Sequence, residues 1–153
     1  MKITDILKKE FIFGELKAKG KREVLVELVG AFAKGNVKVD PDAVLHVLLE
    51  REKLGSTGIG EGIAIPHGKL AGLEEMAVAF GRSKEGIDFE AMDGKPAHLF
   101  FLLMAPENSV GQHLKALAKI SRMLKDEAFQ KKLLAAADRD DLFQALAEKD
   151  DEC

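Results

Sequence analysis

The sequence predicts an α/β protein, a three-layer α/β/α sandwich around a mixed β-sheet in a single domain. Three observations lead there. Apolar residues recur at helical spacing near both ends of the chain, and between them the period shortens to two. The run LFFLLMA (99–105) is apolar on both faces, as a central strand covered on two sides must be. The length of 153 residues suffices for one domain, which buries roughly 70% of the surface its unfolded chain exposes.

From the N-terminus, a short helical turn spans Thr4 to Lys8, and FIFGEL reads as a strand or an extended entry segment. Val24, Leu25, Leu28, Val29 and Phe32 place a helix over 21–34, stopped by Gly35 and Asn36. Asp40 caps a second helix with Pro41 at its first position. Val44, Val47, Leu48 and Leu54 form its buried side, and Gly55 ends it. Ile63 and Ile65 then flank Ala64 at strand spacing. In MAVAFGRS (76–83), Met76, Val78 and Phe80 alternate with Ala77, Ala79 and Gly81, so this strand has a bulky face and a thin face that another element can approach closely. IDFEAM (87–92) alternates as a half-exposed strand would, and Asp93-Gly94 marks a turn. Helices follow over 110–125, 127–137 and about 139–149. The domain is placed at 1–150, with 151–153 as a tail, and no repeat or linker interrupts it.

Composition excludes several classes. With 23 Lys and Arg against 26 Asp and Glu and no basic run, nothing points to nucleic acid. The one cysteine, Cys153, allows no intramolecular disulfide and fits a reducing cytoplasm. The longest apolar run falls far short of the ~20 residues a membrane span needs, so no stable membrane insertion is expected.

The stretch GSTGIGEGIAIPHGK (55–69) sets five glycines before and after one histidine, His67. As a phosphate-cradling loop it fails both familiar patterns: Glu61 and Gly62 stand where Lys-Ser/Thr should follow Gly60, and the segment beyond reads as a strand. His67 itself can be a nucleophile, because neutral imidazole attacks without a partner base once one nitrogen is exposed and the other donates to a fixed acceptor. Pro66 fixes φ before the ring, and Gly68 removes a side chain after it. Ser56 and Thr57 offer hydroxyls to a phosphoryl group. On the residues alone, a histidine that merely occupies a tight turn fits as well.

Two other positions stay open on the same terms. His113, in SVGQHLKALAKI, falls in the first turn of a helix that Ser109 and Gln112 would open with a capping box, and a packed boundary residue is its simpler reading. Arg51 sits in the charged helix end EREK, a solvated face by default, but its planar fork suits a phosphate. His46 reads as surface, and His98 has no evident partner. A zinc site joining His67, His113 and a carboxylate lacks any HxH, HExxH or Cys pair.

REKLGSTGIGEGIAIPHGK resembles the active-site signature of enzyme IIA domains of the bacterial phosphoenolpyruvate:sugar phosphotransferase system, fructose/mannitol class, the nitrogen-regulatory branch above all. The likeness continues through GIDFEAMDGKPAHLFFLLMAP and HLKALAKISRML, and so covers most of the chain. It implies a phosphotransferase in which His67 accepts phosphate from the histidine-containing carrier HPr or its nitrogen-branch paralogue, with no cofactor and no metal. His113 would then help bind the phosphoryl group, Arg51 would meet it, and Ser56, Thr57 and Gly68 would surround it. Two outputs are implied: delivery to a IIB protein for fructose or mannitol uptake, or a nitrogen-regulatory signal read by a kinase, a transporter or a transcription factor.

Overall fold

The computed structural model describes residues 2–35 and 37–152; Asn36 and Cys153, to which the stop of the first helix and the redox argument refer, lie outside them. The first helix, α1 (Lys21–Lys34), has the expected bounds, and the second, α2 (Pro41–Lys53), starts at Pro41 as expected but ends one residue before Leu54. Asp40 caps α2 by accepting from the Asp42 amide at 3.0 Å. Leu54 is a correction: it is 84% exposed, because the helix has ended and its side chain projects from the C-cap. The N-terminal turn is two short 3-10 turns, Ile3–Asp5 and Lys9–Phe11.

The strands are β1 (Ile12–Phe13), β2 (Gly58–Gly60), β3 (Ile63–Ala64), β4 (His67–Leu70), β5 (Ala77–Ile87) and β6 (Ala97–Pro106). Their order is β1-β5-β6-β3-β2, with β4 following β3 along the same edge of β6. The sheet is mixed: β5 runs antiparallel to β6, whereas β1 is parallel to β5, and β3 and β4 are parallel to β6. LFFLLMA is central as its composition requires. Phe100, Phe101, Leu102 and Leu103 are each 0% exposed, and each contributes roughly 1.5–3 kcal/mol by burial.

FIFGEL contributes only two paired residues, because the Gly14 carbonyl accepts from Arg82 Nε at 3.0 Å and the chain then folds over the sheet. IDFEAM is not a strand beyond Ile87. Its alternation is real, with Phe89 buried between exposed Asp88 and Glu90, but Asp88 accepts the Glu90 amide and Glu90 has a φ of 53°, so the backbone turns instead of pairing. The Asp93-Gly94 turn forms, with Gly94 at φ 72°.

Neighbouring residues across a ladder share a face. His67, Val78, Phe80, Arg82, Phe101 and Leu103 therefore lie on one side, and Gly68, Ala77, Ala79, Gly81, Leu102 and Met104 on the other. The thin side takes α1 and α2, and Leu16 presses on Gly81, where a Cβ would meet it at 2.8 Å. The opposite side takes α3 (Val110–Lys125), α4 (Glu127–Ala135) and α5 (Arg139–Glu152). Buried Arg82 donates to the Leu133 and Ala136 carbonyls, which helps end α4 before residue 137. Asp150, also buried, gathers the Ile3 and Thr4 amides and Lys119, so α5 continues past 149 and ties both ends of the chain to α3.

Candidate active site

The site forms where the C-terminal end of α2 meets the start of β4 and the first turn of α3. After Leu54 the chain reverses at Gly55, whose φ of 142° is open to glycine and strained for other residues. Glu52, buried at the end of α2, accepts from the Thr57 amide at 3.1 Å and from the Thr57 hydroxyl, and pairs with Lys21 Nζ at 3.0 Å. Ser56 donates to the Phe89 carbonyl at 3.0 Å and accepts the Gly58 amide. Both hydroxyls are thus engaged in fastening the loop, and neither Ser56 nor Thr57 lines the cleft beside His67. The glycines build the β2–β3 hairpin: Gly60 and Gly62 take φ of 95° and 80°, while a Cβ on Gly58 would meet Ala91 Cα at 2.9 Å.

That hairpin delivers Ile65 and Pro66 onto the edge of β6, where the Pro66 carbonyl accepts the Leu103 amide at 3.0 Å. His67 is the first residue of β4, not a turn residue. Its Nδ1 stands 2.8 Å from the Ile65 carbonyl. A carbonyl can only accept, so Nδ1 carries the hydrogen and Nε2 keeps its lone pair. Gly68 lines the cleft, but its size answers to packing: a Cβ there would meet Val47 Cγ1 of α2 at 2.5 Å.

The sheet face that holds His67 also faces α3. His113, 5% exposed, lies with its ring centroid 5.6 Å from that of His67, the planes at 71°. Its Nε2 is buried without a hydrogen-bond partner. Ser109 is the N-cap by position, yet its hydroxyl donates to the Pro106 carbonyl at 2.8 Å, and the expected capping box does not form. Arg51 donates to the Gly55 carbonyl at 2.9 Å and lines the cleft. His67, His113, Arg51 and Gly68 are therefore brought together in a cleft of about 540 Å³. Its apolar rim is Leu54, Val110 and Leu114, which are 84%, 49% and 62% exposed.

Burial, helped by the Arg51 charge, lowers the His67 pKa from its ordinary 6.5, against the opposing pull of the Ile65 bond and Glu52. Burial first, then the charges of His67 and Lys69, lowers that of His113. Both rings are neutral near pH 7, which suits one for attack and the other for donating a hydrogen bond. Among the described residues no group of three or more His, Cys, Asp or Glu side chains is placed to hold a metal ion, and no helix is long and apolar enough to cross a membrane. His46 is exposed, while His98, without a nameable partner in the sequence, holds the Ser83 carbonyl at 2.9 Å from Nδ1. Glu52 and Lys69 escaped the sequence reading: Glu52 is one charge in EREK, and only its placement beside Thr57 reveals its work.

Residues 5–149 match the family described as phosphoenolpyruvate-dependent sugar phosphotransferase system, EIIA 2. A nitrogen regulatory protein of Bradyrhizobium diazoefficiens is 47% identical over 147 residues, covering 96% of this chain and 95% of the relative. The fructose-specific EIIABC component of Bacillus subtilis is 43% identical over 150 residues, 98% of this chain but 24% of that longer protein. The crystal structure of the nitrogen regulatory protein IIA-Ntr from Neisseria meningitidis superposes with a TM-score of 0.88 at 33% identity, covering 94% of this chain and 98% of that one.

Proposed function

The chain belongs to the phosphoenolpyruvate-dependent sugar phosphotransferase system EIIA 2 family, and from that premise we propose that it carries a phosphoryl group on Nε2 of His67. One observation carries the reading: Nδ1 is tied to the Ile65 carbonyl, so Nε2 is left as the free nucleophile of the cleft. The donor is HPr or its nitrogen-branch paralogue, itself a phosphohistidine. The Nε2 lone pair forms the new N–P bond as the donor's N–P bond breaks and its electron pair stays on the donor nitrogen. The donor ring, a phosphoimidazolium at the moment of transfer, leaves as neutral imidazole, and the positive charge passes to the His67 ring, whose Nδ1–H stays on Ile65. Arg51 neutralises phosphoryl oxygens with the N–H groups that Gly55 does not use. His113 donates to the same oxygens.

The output favoured is nitrogen regulation, in which the phosphorylation state is read by a kinase or a transporter, because the likeness to the Bradyrhizobium regulatory protein spans nearly the whole of both chains. A fructose- or mannitol-specific IIA component that passes phosphate to a separate IIB protein is the second reading, favoured by the 43% identity to a fructose-specific component. Charging the protein and recording long-range proton–nitrogen spectra tests the acceptor atom. Phosphorus coupling on His67 Nε2 is expected; coupling on Nδ1, or on His113, contradicts it.

A further inference from the structure

We propose that Lys69 is a further phosphoryl-binding residue, the second cation of the site. The proposal rests on the reading of His67 as acceptor and adds a group to it. Lys69 stands two residues beyond His67 on β4, paired with Ala105 as His67 is paired with Leu103, so both side chains leave the same face of the sheet. Two residues of strand span roughly 6.5–7 Å, a reach comparable to an extended lysine side chain. Both residues line the cleft.

Charge arithmetic explains the need. A phosphoryl group brings a charge of about −1.5 to −2 near pH 7, and the two histidine rings it meets as it arrives are held neutral by burial, His67 gaining its positive charge only as the new N–P bond forms. Arg51 supplies one positive charge. The other lysines close to the loop are already matched, Lys21 to Glu52 and Lys53 to Glu50. Glu50 is the one carboxylate among the residues lining the cleft, and it holds Lys53. Lys69 has no carboxylate partner among the described residues, and its charge already reaches the His113 ring. An unmatched ammonium on the acceptor's own strand face supplies the missing charge. It moves no proton: it stabilises phosphoryl oxygens while the N–P bonds exchange.

The test is the equilibrium of phosphate between HPr and the whole protein, measured for wild type, Lys69→Met, Lys69→Gln and Lys69→Arg. Lys69→Met and Lys69→Gln should shift it toward HPr by about 3- to 10-fold, and Lys69→Arg should stay within about twofold of wild type. High salt should shrink the difference. In the uncharged protein, Lys69→Met should raise the titration midpoint of His113, which a lysine turned away from the cleft would not do. An unchanged equilibrium in Lys69→Met and Lys69→Gln, or a Lys69→Arg variant as impaired as they are, overturns the proposal. Labelling of His67→Ala would instead overturn the acceptor reading beneath it.

Discussion

A histidine that accepts phosphate must keep a lone pair, and His67 keeps one for two reasons. The Ile65 carbonyl claims the hydrogen of Nδ1, and burial disfavours the protonated ring. The folded pKa lies below 6.5, so the folded chain takes up this proton at lower pH than the unfolded chain. Any stability linked to it is therefore present above the unfolded value and lost as pH falls. Acceptance of phosphate should be flat around pH 7 and fall with acid, with a midpoint below 6.5 that coincides with the nuclear magnetic resonance titration of the His67 ring. A midpoint above 6.5 would mean that a neighbouring carboxylate, not burial, governs the ring. The orphaned Nε2 of His113 adds to the case for a ligand, since a buried imidazole nitrogen without a partner costs free energy until something occupies the space beside it.

At the scale of elements, the site depends on how closely α2 approaches β4. Val47 stands where a Cβ of residue 68 would fall. Gly68→Ala should therefore destabilise the fold by about 1–3 kcal/mol in denaturant unfolding, and slow phosphoryl acceptance by displacing Arg51 from His67. An alanine variant of full stability and full rate would show that α2 gives way freely. Much of this was legible in the residues: the bounds of α1, the start of α2, the central β6 and the thin face of β5 follow from spacing and composition. Three features were not. The alternation in IDFEAM belongs to a turned segment that buries Phe89 without pairing, and period two reports burial, not hydrogen bonding. Leu54 looks like a helix core residue but falls one position past the helix end. Ser56 and Thr57 look like ligand donors, yet Phe89 and Glu52, distant or unremarkable in the sequence, engage their hydroxyls first.

For the whole molecule, three stretches far apart in sequence must converge before any of this chemistry exists. The sheet register sets His67 on the α3 side and Gly68 on the α2 side of one strand, so the cleft opens between the two helical layers at the sheet edge. Exposed Leu54 and Leu114 come from opposite layers and frame it, which suits a partner that docks over the ring and leaves again after transfer. The most direct test is to incubate the intact protein with phosphoenolpyruvate, enzyme I and HPr and to count acid-labile phosphate. Wild type should take up one phosphate per chain and folded His67→Ala none; full labelling of His67→Ala would contradict the assignment of His67 as the acceptor.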